Sequence, residues 1–209
     1  PLVLSSVAGR IDQIRCREIF NYATYDQPNA VRNLIGFGRS LDETPPMLFP
    51  AALDMIWGAM VRVLADGLGV TLDEVRQVVE RRPLERTIDT PEMGVFEAGT
   101  QGAFRFEVQG IVGGEVRIVC EHITRIDDAC ALDWPLPAAG QRGSYAVLIE
   151  GDPRFEVAVM LHGGSGSPAD AGNATAVGRI VHAIPAVCAA RPGILGPLDL
   201  PLITGRGLL

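Results

Sequence analysis

The sequence predicts an α+β fold, in which helices pack on one side of an open, largely antiparallel sheet. Residues 51–69 carry apolar side chains at helical spacing and end in a glycine-containing stretch typical of a helix terminus. Residues 104–109 instead alternate apolar and polar side chains, as a strand with one solvated face does. Because helices precede a run of such strands and one more helix follows them, the order of elements favours the α+β class.

The first part of the chain predicts a helix end, a strand and three helices. Residues 1–8 are typical of the last turns of a helix, and residues 11–25 of a long strand. A short helix is expected over 28–38, which begins with a proline and ends in Gly-Phe-Gly. The helix over 51–69 follows, and then a helix over 71–83, with Thr71 as N-cap, Glu74 closing a capping box and Pro83 as its stop.

The second part predicts strands and a closing helix. Successive strands are expected between residues 85 and 127, with a hairpin turn at Gly113-Gly114, and a further strand pair spans 144–163. The run GGSGSPADAG follows a strand and precedes a helix, as a phosphate-binding loop does, but its spacing is not GxGxxG and a plain loop is favoured. The closing helix is predicted to begin at Asn173 and to contain Pro185.

Composition excludes several classes of function. The net charge of -7 argues against a nucleic-acid surface. No apolar run reaches the roughly 18 residues of a membrane span, and no secretory signal is visible, so we expect a cytoplasmic protein without a membrane partner. All 18 basic residues are arginine, which excludes a Schiff-base or P-loop lysine within this chain. The four cysteines form no CxxC pair, and the three histidines show no metal-ligand spacing, so we expect no metal.

A few polar and aromatic residues are candidates for a site. Tyr22 and Tyr25 lie at the exit of the first strand, where they either line a pocket or pack the first helix onto the sheet. His122 lies on a strand and could face solvent or a pocket. Asn173 and Thr175 lie at the expected start of the closing helix, which offers polar N–H groups to a ligand as well as a simple cap. No carboxylate pair has the apolar setting that acid–base catalysis favours.

Two segments carry a resemblance to a known family. REIFNYATYDQPNAVRNLIGFG combines a strand, a tyrosine-containing exit and a short helix, and GNATAVGRIVHAIPAVCAARPGILGPLDLP combines a helix start, an internal Ala-Ile-Pro and an Asp-Leu-Pro ending. Together they resemble the C-terminal portion of the NAD(P)-dependent amine dehydrogenases, which include 2,4-diaminopentanoate dehydrogenase and are distantly similar to dihydrodipicolinate reductase.

The resemblance implies a substrate-binding and dimerisation domain over residues 1–170. It also implies a C-terminal helix and tail over 171–209 that return to a Rossmann domain expected upstream of Pro1. Tyr22, Tyr25, His122 and Thr175 would then line the site of an amine or ketone substrate, and Asn173 with Thr175 would lie near the nicotinamide of NAD or NADP. The family's dinucleotide loop and acidic residue are absent here, so this chain alone is expected to be inactive and no catalytic residue is assigned.

Two alternatives remain at this stage. One is an imine reductase similar to dihydrodipicolinate reductase, although that family uses a lysine-bearing motif that a chain without lysine lacks. The other is a dimeric ligand-binding module that is not an enzyme. The amine dehydrogenase interpretation predicts reversible oxidative deamination of primary amines by a homodimer.

Overall fold

The computed structural model describes residues 1–137, 141–162 and 168–208, without the side chains of residues 168–170. It forms two compact units, Pro1–Leu161 and His162–Leu209. All strands of the described residues lie in the first unit: β1 (Arg10–Asn21), β2 (Glu74–Pro83), β3 (Ile88–Thr90), β4 (Gly94–Phe96), β5 (Gln101–Val112), β6 (Glu115–Arg125), β7 (Gly143–Asp152) and β8 (Phe155–Val159).

Six of these strands form one open sheet in the order β2-β5-β6-β1-β7-β8, and β3 pairs with β4 in a separate small hairpin. The central pair of β1 and β6 is parallel, whereas the other neighbouring pairs of the six-stranded sheet are antiparallel. The predicted α+β class with a largely antiparallel sheet is therefore confirmed. The predicted turn at Gly113-Gly114 joins β5 to β6, and both glycines have positive φ angles of 62° and 77°.

The helices of the first unit are α1 (Leu2–Ser5), a π turn at Ala30–Leu34, a 3₁₀ turn at Pro46–Leu48, α2 (Pro50–Leu53), a π turn at Asp54–Gly58 and α3 (Ala59–Leu68). The last three run on continuously, which confirms the helix predicted over 51–69. It ends at Gly69, whose φ of 68° places it in the left-handed C-cap conformation.

Helix α3 packs on one face of the sheet because its buried side chains form a stripe. Val61 is fully buried, and it lies so close to Gly110 of β5 that a Cβ on that glycine would be 2.8 Å from Cγ1 of the valine. The main apolar core lies between these helices and strands β5 and β6. The same face of β7 and β8 is more open, since Val157 and Val159 are exposed.

The predicted helix over 71–83 is wrong. Residues Glu74–Pro83 form β2, which pairs with β5 along its length. Val75 and Val79 are β-branched and share the face that also carries the helices. The backbone hydrogen bonds and side-chain packing that β2 gains by pairing with β5 override the local capping signature. Glu74 closes no capping box and instead pairs with Arg76 on the same strand, at 3.0 Å.

The second unit contains α4 (Pro168–Ala189), which includes Pro185 as predicted. The helix does not begin at Asn173, because Pro168 already lies within it and proline is well suited to a first helical turn. Of the run GGSGSPADAG, residues 163–167 lie outside the described residues, so the choice between phosphate loop and plain loop stays a prediction. None of the helices in the described part of the chain has both the length and the hydropathy needed to cross a bilayer.

Candidate functional site

One row of side chains crosses the whole sheet on the face that carries the helices. Strand pairing places them side by side in the order Val79, Phe106, His122, Glu18, Tyr145 and Val159. Phe106 is fully buried under the helices, whereas Val159 at the far edge is 45% exposed. From Phe106 to Val159 the row therefore passes from the apolar core to an open part of the sheet, and the neighbours His122 and Glu18 lie at that transition.

Glu18 is the acidic group of this row. Its Cα partners are His122 on one side and Tyr145 on the other. Oε1 of Glu18 lies 3.4 Å from Nδ1 of His122, and the carboxylate side chain is 30% exposed while the imidazole is nearly inaccessible. A carboxylate in this position can bind a ligand on its solvent-exposed side and contact the imidazole on its buried side.

His122 lies in an aromatic environment. Its ring stacks on Phe106 at 5.1 Å and 4°, stacks on Phe104 at 5.8 Å and 9°, and meets Trp57 edge-on at 5.8 Å. Burial lowers the pKa of His122, and the nearby carboxylate of Glu18 only partly opposes that effect. Within the described residues, neither ring nitrogen has a hydrogen-bond partner in the structure.

The aromatic residues at the end of β1 form the rim of the same region. Tyr22 meets Tyr25 edge-on at 5.3 Å, and Phe20 meets Tyr145 edge-on at 5.1 Å. Burial raises the pKa of Tyr145 to about 12, and the charge of Glu18 adds to the shift. Burial raises the pKa of Tyr22 still further, again with a contribution from Glu18. Both phenols therefore stay protonated at neutral pH and can donate hydrogen bonds.

Phe20 reaches this rim because Gly143 lies opposite it on β7. A Cβ on Gly143 would be 2.6 Å from Cδ1 of the phenylalanine ring and 3.2 Å from the carbonyl oxygen of Ile19. The absence of a side chain at this position lets the ring lie across β7 and contact Tyr145.

The two predicted residues of the closing helix lie in the other unit. Asn173 and Thr175 are exposed positions of α4, and Oγ1 of Thr175 donates a hydrogen bond of 2.7 Å to the carbonyl oxygen of Gly172. Tyr22, Tyr25 and His122 thus lie together in the first unit, and Asn173 and Thr175 lie together in the second. The roles assigned to all five stay predictions.

The opposite face of the sheet carries a cluster of arginines and glutamates. Glu121, next to His122 on β6, is completely buried and contacts Arg15 at 3.0 Å, Arg17 at 2.6 Å and Arg105 at 2.8 Å. Glu107 contacts Arg15 and Arg105 as well, at 2.6 and 2.8 Å. Burial would raise the pKa of Glu107, but hydrogen bonds from Arg15 and Gln109 outweigh that effect and hold the pKa below its usual value.

Residues 2–206 of the chain match the family described as the 2,4-diaminopentanoate dehydrogenase C-terminal domain. The chain belongs to this family. It is also 52% identical, over 209 residues, to a protein named amine dehydrogenase from Streptomyces virginiae, of which it covers 58% while being covered completely itself. These matches confirm the resemblance found in the sequence.

A solved structure of the amine dehydrogenase from Mycobacterium smegmatis has the same fold as this family member. The TM-score is 0.70 at 19% identity, and the match covers 98% of this chain and 55% of that chain. At that identity the likeness concerns the fold. The chain therefore spans a little over half the length of the relatives that it matches.

Two residues of this family member's candidate site escaped the sequence analysis. Glu18 stands between Arg17 and Ile19 in an ordinary strand pattern, and Tyr145 lies near the start of a strand more than a hundred residues later. The parallel register of β1 and β6 brings Glu18 to His122, and no local pattern encodes such a long-range pairing. The alternation of β1 alone could have placed Glu18 on the same face as Cys16 and Phe20, and hence near the core.

Chemically, the arrangement suits a cation with an apolar body. A half-buried carboxylate attracts an ammonium group, and neighbouring aromatic faces add cation–π attraction. In the part of the chain that the structure describes, no three His, Cys, Asp or Glu side chains converge as metal ligands.

Proposed function

We propose that this chain is the substrate-binding part of an NAD(P)-dependent oxidoreductase that acts on primary amines. The observation that carries the proposal is Glu18, a partly exposed carboxylate between Tyr145 and His122 at the open part of the sheet. The membership in the 2,4-diaminopentanoate dehydrogenase C-terminal family and the amine dehydrogenase relatives support it.

Glu18 receives the ammonium group of the substrate. A charge-assisted hydrogen bond of this kind contributes about 1.5–3 kcal/mol, more than a neutral one. Tyr145 lies opposite Glu18 on the neighbouring strand, and Tyr22 is close enough for the charge of Glu18 to raise its pKa. Val157 and Val159 extend the face with exposed apolar side chains, which suit the carbon skeleton of an amine or a ketone.

The proposed reaction transfers a hydride between the substrate bound at this site and a nicotinamide. When bound, NAD or NADP accepts or delivers the hydride. The carbon bearing the amine loses a hydride and its nitrogen loses a proton, and the resulting imine is hydrolysed to a ketone and ammonium. The balance is R₂CH–NH₃⁺ + NAD(P)⁺ + H₂O → R₂C=O + NH₄⁺ + NAD(P)H + H⁺. The residues of this chain orient the amine and exclude water from the reacting carbon until the imine has formed.

The cofactor is held mainly by a nucleotide-binding domain outside this chain. In support, α4 exposes apolar side chains on its surface, and the chain covers only 58% of the Streptomyces virginiae relative. The exposed apolar residues of α4 are Val177, Ile180, Val181, Ile184 and Val187. We propose that this face packs on the nucleotide domain, that residues 171–209 form the connecting segment and that Asn173 and Thr175 then meet the nicotinamide and the substrate.

The proposal includes a homodimer formed through the first unit. An open sheet leaves backbone N–H and C=O groups at its edge strands, here β2 and β8, and such edges need protection. Light scattering after size-exclusion chromatography measures the oligomeric state, and a monomeric mass at micromolar concentration would contradict this part of the proposal.

The first test is the intact mass of the protein expressed from its native gene, since a mass larger by roughly one domain, about 100–150 residues, identifies the form to assay. That form is then mixed with a panel of primary amines and either NAD⁺ or NADP⁺, and the formation of reduced nicotinamide is followed at 340 nm. We expect amine-dependent reduction and, in the reverse direction, consumption of reduced cofactor that requires both ketone and ammonium.

Two controls test this function, one against the imine reductase alternative and one at the second unit. Turnover of dihydrodipicolinate without turnover of any amine would replace it with the imine reductase alternative. Replacement of Thr175 by tryptophan tests the second unit, since a bulky side chain there should lower both amine affinity and turnover. Unchanged kinetics in Thr175→Trp would remove that residue from the site.

A further inference from the structure

The imidazole of His122 has no evident role in holding the fold together through its polar atoms. The residue is 5% exposed, and neither nitrogen has a hydrogen-bond partner among the described residues. An unpaired buried polar group costs about 1–3 kcal/mol, so an apolar residue of similar size would pack at this position without that cost. Its polar atoms therefore call for an explanation outside the packing of the core.

The aromatic rings around His122 restrict the orientation of its ring. Phe106 and Phe104 lie nearly parallel to it, at 4° and 9°, and Trp57 closes the layer edge-on. The two stacks fix the plane of the imidazole ring. In that plane Nδ1 lies on the side of β1, 3.4 Å from Oε1 of Glu18.

An ionised carboxylate only accepts hydrogen bonds, so a bond between these two groups needs a proton on Nδ1. The imidazole is in the neutral form at neutral pH, because burial disfavours its charged form. A neutral donor orients the carboxylate and leaves its negative charge uncancelled. A protonated histidine or an arginine at this position would also orient Glu18, but it would neutralise the charge that an ammonium ion needs.

We propose that His122 is a positioning residue: its Nδ1–H donates to Glu18 and fixes the carboxylate that receives the ammonium group of the substrate. The effect on substrate binding rests on the proposed function, whereas the hydrogen bond between His122 and Glu18 does not. The bond forms when a small movement of the Glu18 side chain shortens the 3.4 Å separation by a few tenths of an ångström and brings Oε1 into line with Nδ1–H. His122 then acts on the substrate only through Glu18.

The geometry is tested without any assay of activity. Long-range ¹H–¹⁵N NMR spectra of the protein distinguish Nδ1–H from Nε2–H tautomers, and the signal of His122 is identified by its absence in His122→Asn. We expect a neutral Nδ1–H tautomer in the wild type at pH 7 and a changed tautomer distribution in Glu18→Leu. A neutral Nε2–H tautomer in the wild type, or a distribution that Glu18→Leu leaves unchanged, would overturn the inference.

The consequence is tested in the form that oxidises amines. His122→Phe keeps an aromatic ring but removes the donor, and we expect the KM for the amine to rise about 10-fold, the loss of one charge-assisted hydrogen bond, while the KM for the neutral ketone changes less than about two-fold. His122→Asn retains a donor close to the position of Nδ1 and should restore most of the amine affinity.

A matched control lies two residues along the same strand. Thr124 is fully buried on the same face of β6, and its hydroxyl also lacks a partner among the described residues. Thr124→Val removes that polar atom at nearly constant volume and should leave both KM values unchanged. Equal rises for amine and ketone in His122→Phe would show a structural role and refute the inference. If the wild type oxidises no amine but shows the Nδ1–H tautomer, the proposed function fails while the hydrogen bond stands.

Discussion

Glu121 and His122 are neighbours on β6, and both are buried on opposite faces of the sheet. The polar atoms of Glu121 have several ion-pair partners, whereas those of His122 have no hydrogen-bond partner among the described residues. Glu121 is surrounded by Arg15, Arg17 and Arg105, each within 3.0 Å. Nδ1 of His122 lies 3.4 Å from the carboxylate of Glu18.

The difference separates a structural polar group from a functional one. A saturated cluster of buried charges fixes the relative positions of the strands that carry it, in this case β1, β5 and β6. An unsaturated group in a packed core has a cost that the fold alone does not repay, and such groups cluster at sites of function. On this account the Arg–Glu face maintains the sheet and the row through Glu18 binds the substrate.

The largest expected effect is the loss of the buried carboxylate on the structural face. Glu121→Gln leaves the three arginines with one negative charge fewer in a poorly solvated place, and we expect the free energy of unfolding to fall by about 3 kcal/mol. Urea denaturation followed by circular dichroism measures it. Glu74→Gln is the matched control, because its pair with Arg76 is half exposed and solvent screening should make its effect on stability much smaller. Equal effects of the two substitutions would contradict the comparison.

The next effect concerns the rim of the other face. Gly143→Ala places a Cβ 2.6 Å from the ring of Phe20, so the ring must move away from Tyr145. We expect a loss of about 2 kcal/mol in the free energy of unfolding, as for other overpacked sites, together with a higher KM for the amine. Gly178→Ala serves as control, since a Cβ there meets no atom within 4 Å and a helical alanine is favourable. If Gly143→Ala is as stable as the wild type, the Phe20 ring can accommodate the added Cβ and this part of the comparison is contradicted.

A smaller effect follows from the titration of His122. Its pKa is lowered by burial in the folded protein and is about 6.5 in the unfolded chain, so the unfolded chain binds the additional proton first as the pH falls. His122 thus contributes a loss of stability below about pH 6.5, with a limiting slope of about 1.4 kcal/mol per pH unit. Stability curves from pH 7.5 to 5 should be flatter for His122→Asn than for the wild type. If the curves of His122→Asn and the wild type run parallel, that result counts against a neutral buried imidazole.

Much of the fold could be predicted from local pattern. The long strand before Tyr22, the helix ending at Gly69 and the hairpin at Gly113-Gly114 each combine a clear period with a glycine or an aromatic end signal. Strand β2 could not, because Thr71 and Glu74 imitate a helix start and only pairing with β5 decides otherwise. Sequence reasoning places the start of α4 too late, because Asn173 is a good capping residue and the Gly/Ser-rich run before it resembles a loop.

Only part of the candidate site could be predicted from the sequence, because most of its residues come together through long-range strand pairing. Tyr22 and Tyr25 are close in sequence, and an aromatic pair at a strand exit is a local signal. Glu18, His122 and Tyr145 meet through parallel and antiparallel registers that span more than a hundred residues, and the type of each residue reveals nothing of that pairing.

The central claim is that Glu18 binds the ammonium group of the substrate, and the most direct test is the kinetics of Glu18→Gln in the form that carries out hydride transfer. The account predicts a KM for the amine raised about 10- to 100-fold, a KM for the ketone changed by less than about two-fold, and a free energy of unfolding equal to that of the wild type. Glutamine keeps the shape and a hydrogen-bond acceptor but loses the charge, so only the charged substrate should respond. An unchanged KM for the amine, with the protein folded and active, would show that the amine binds elsewhere and would contradict the account.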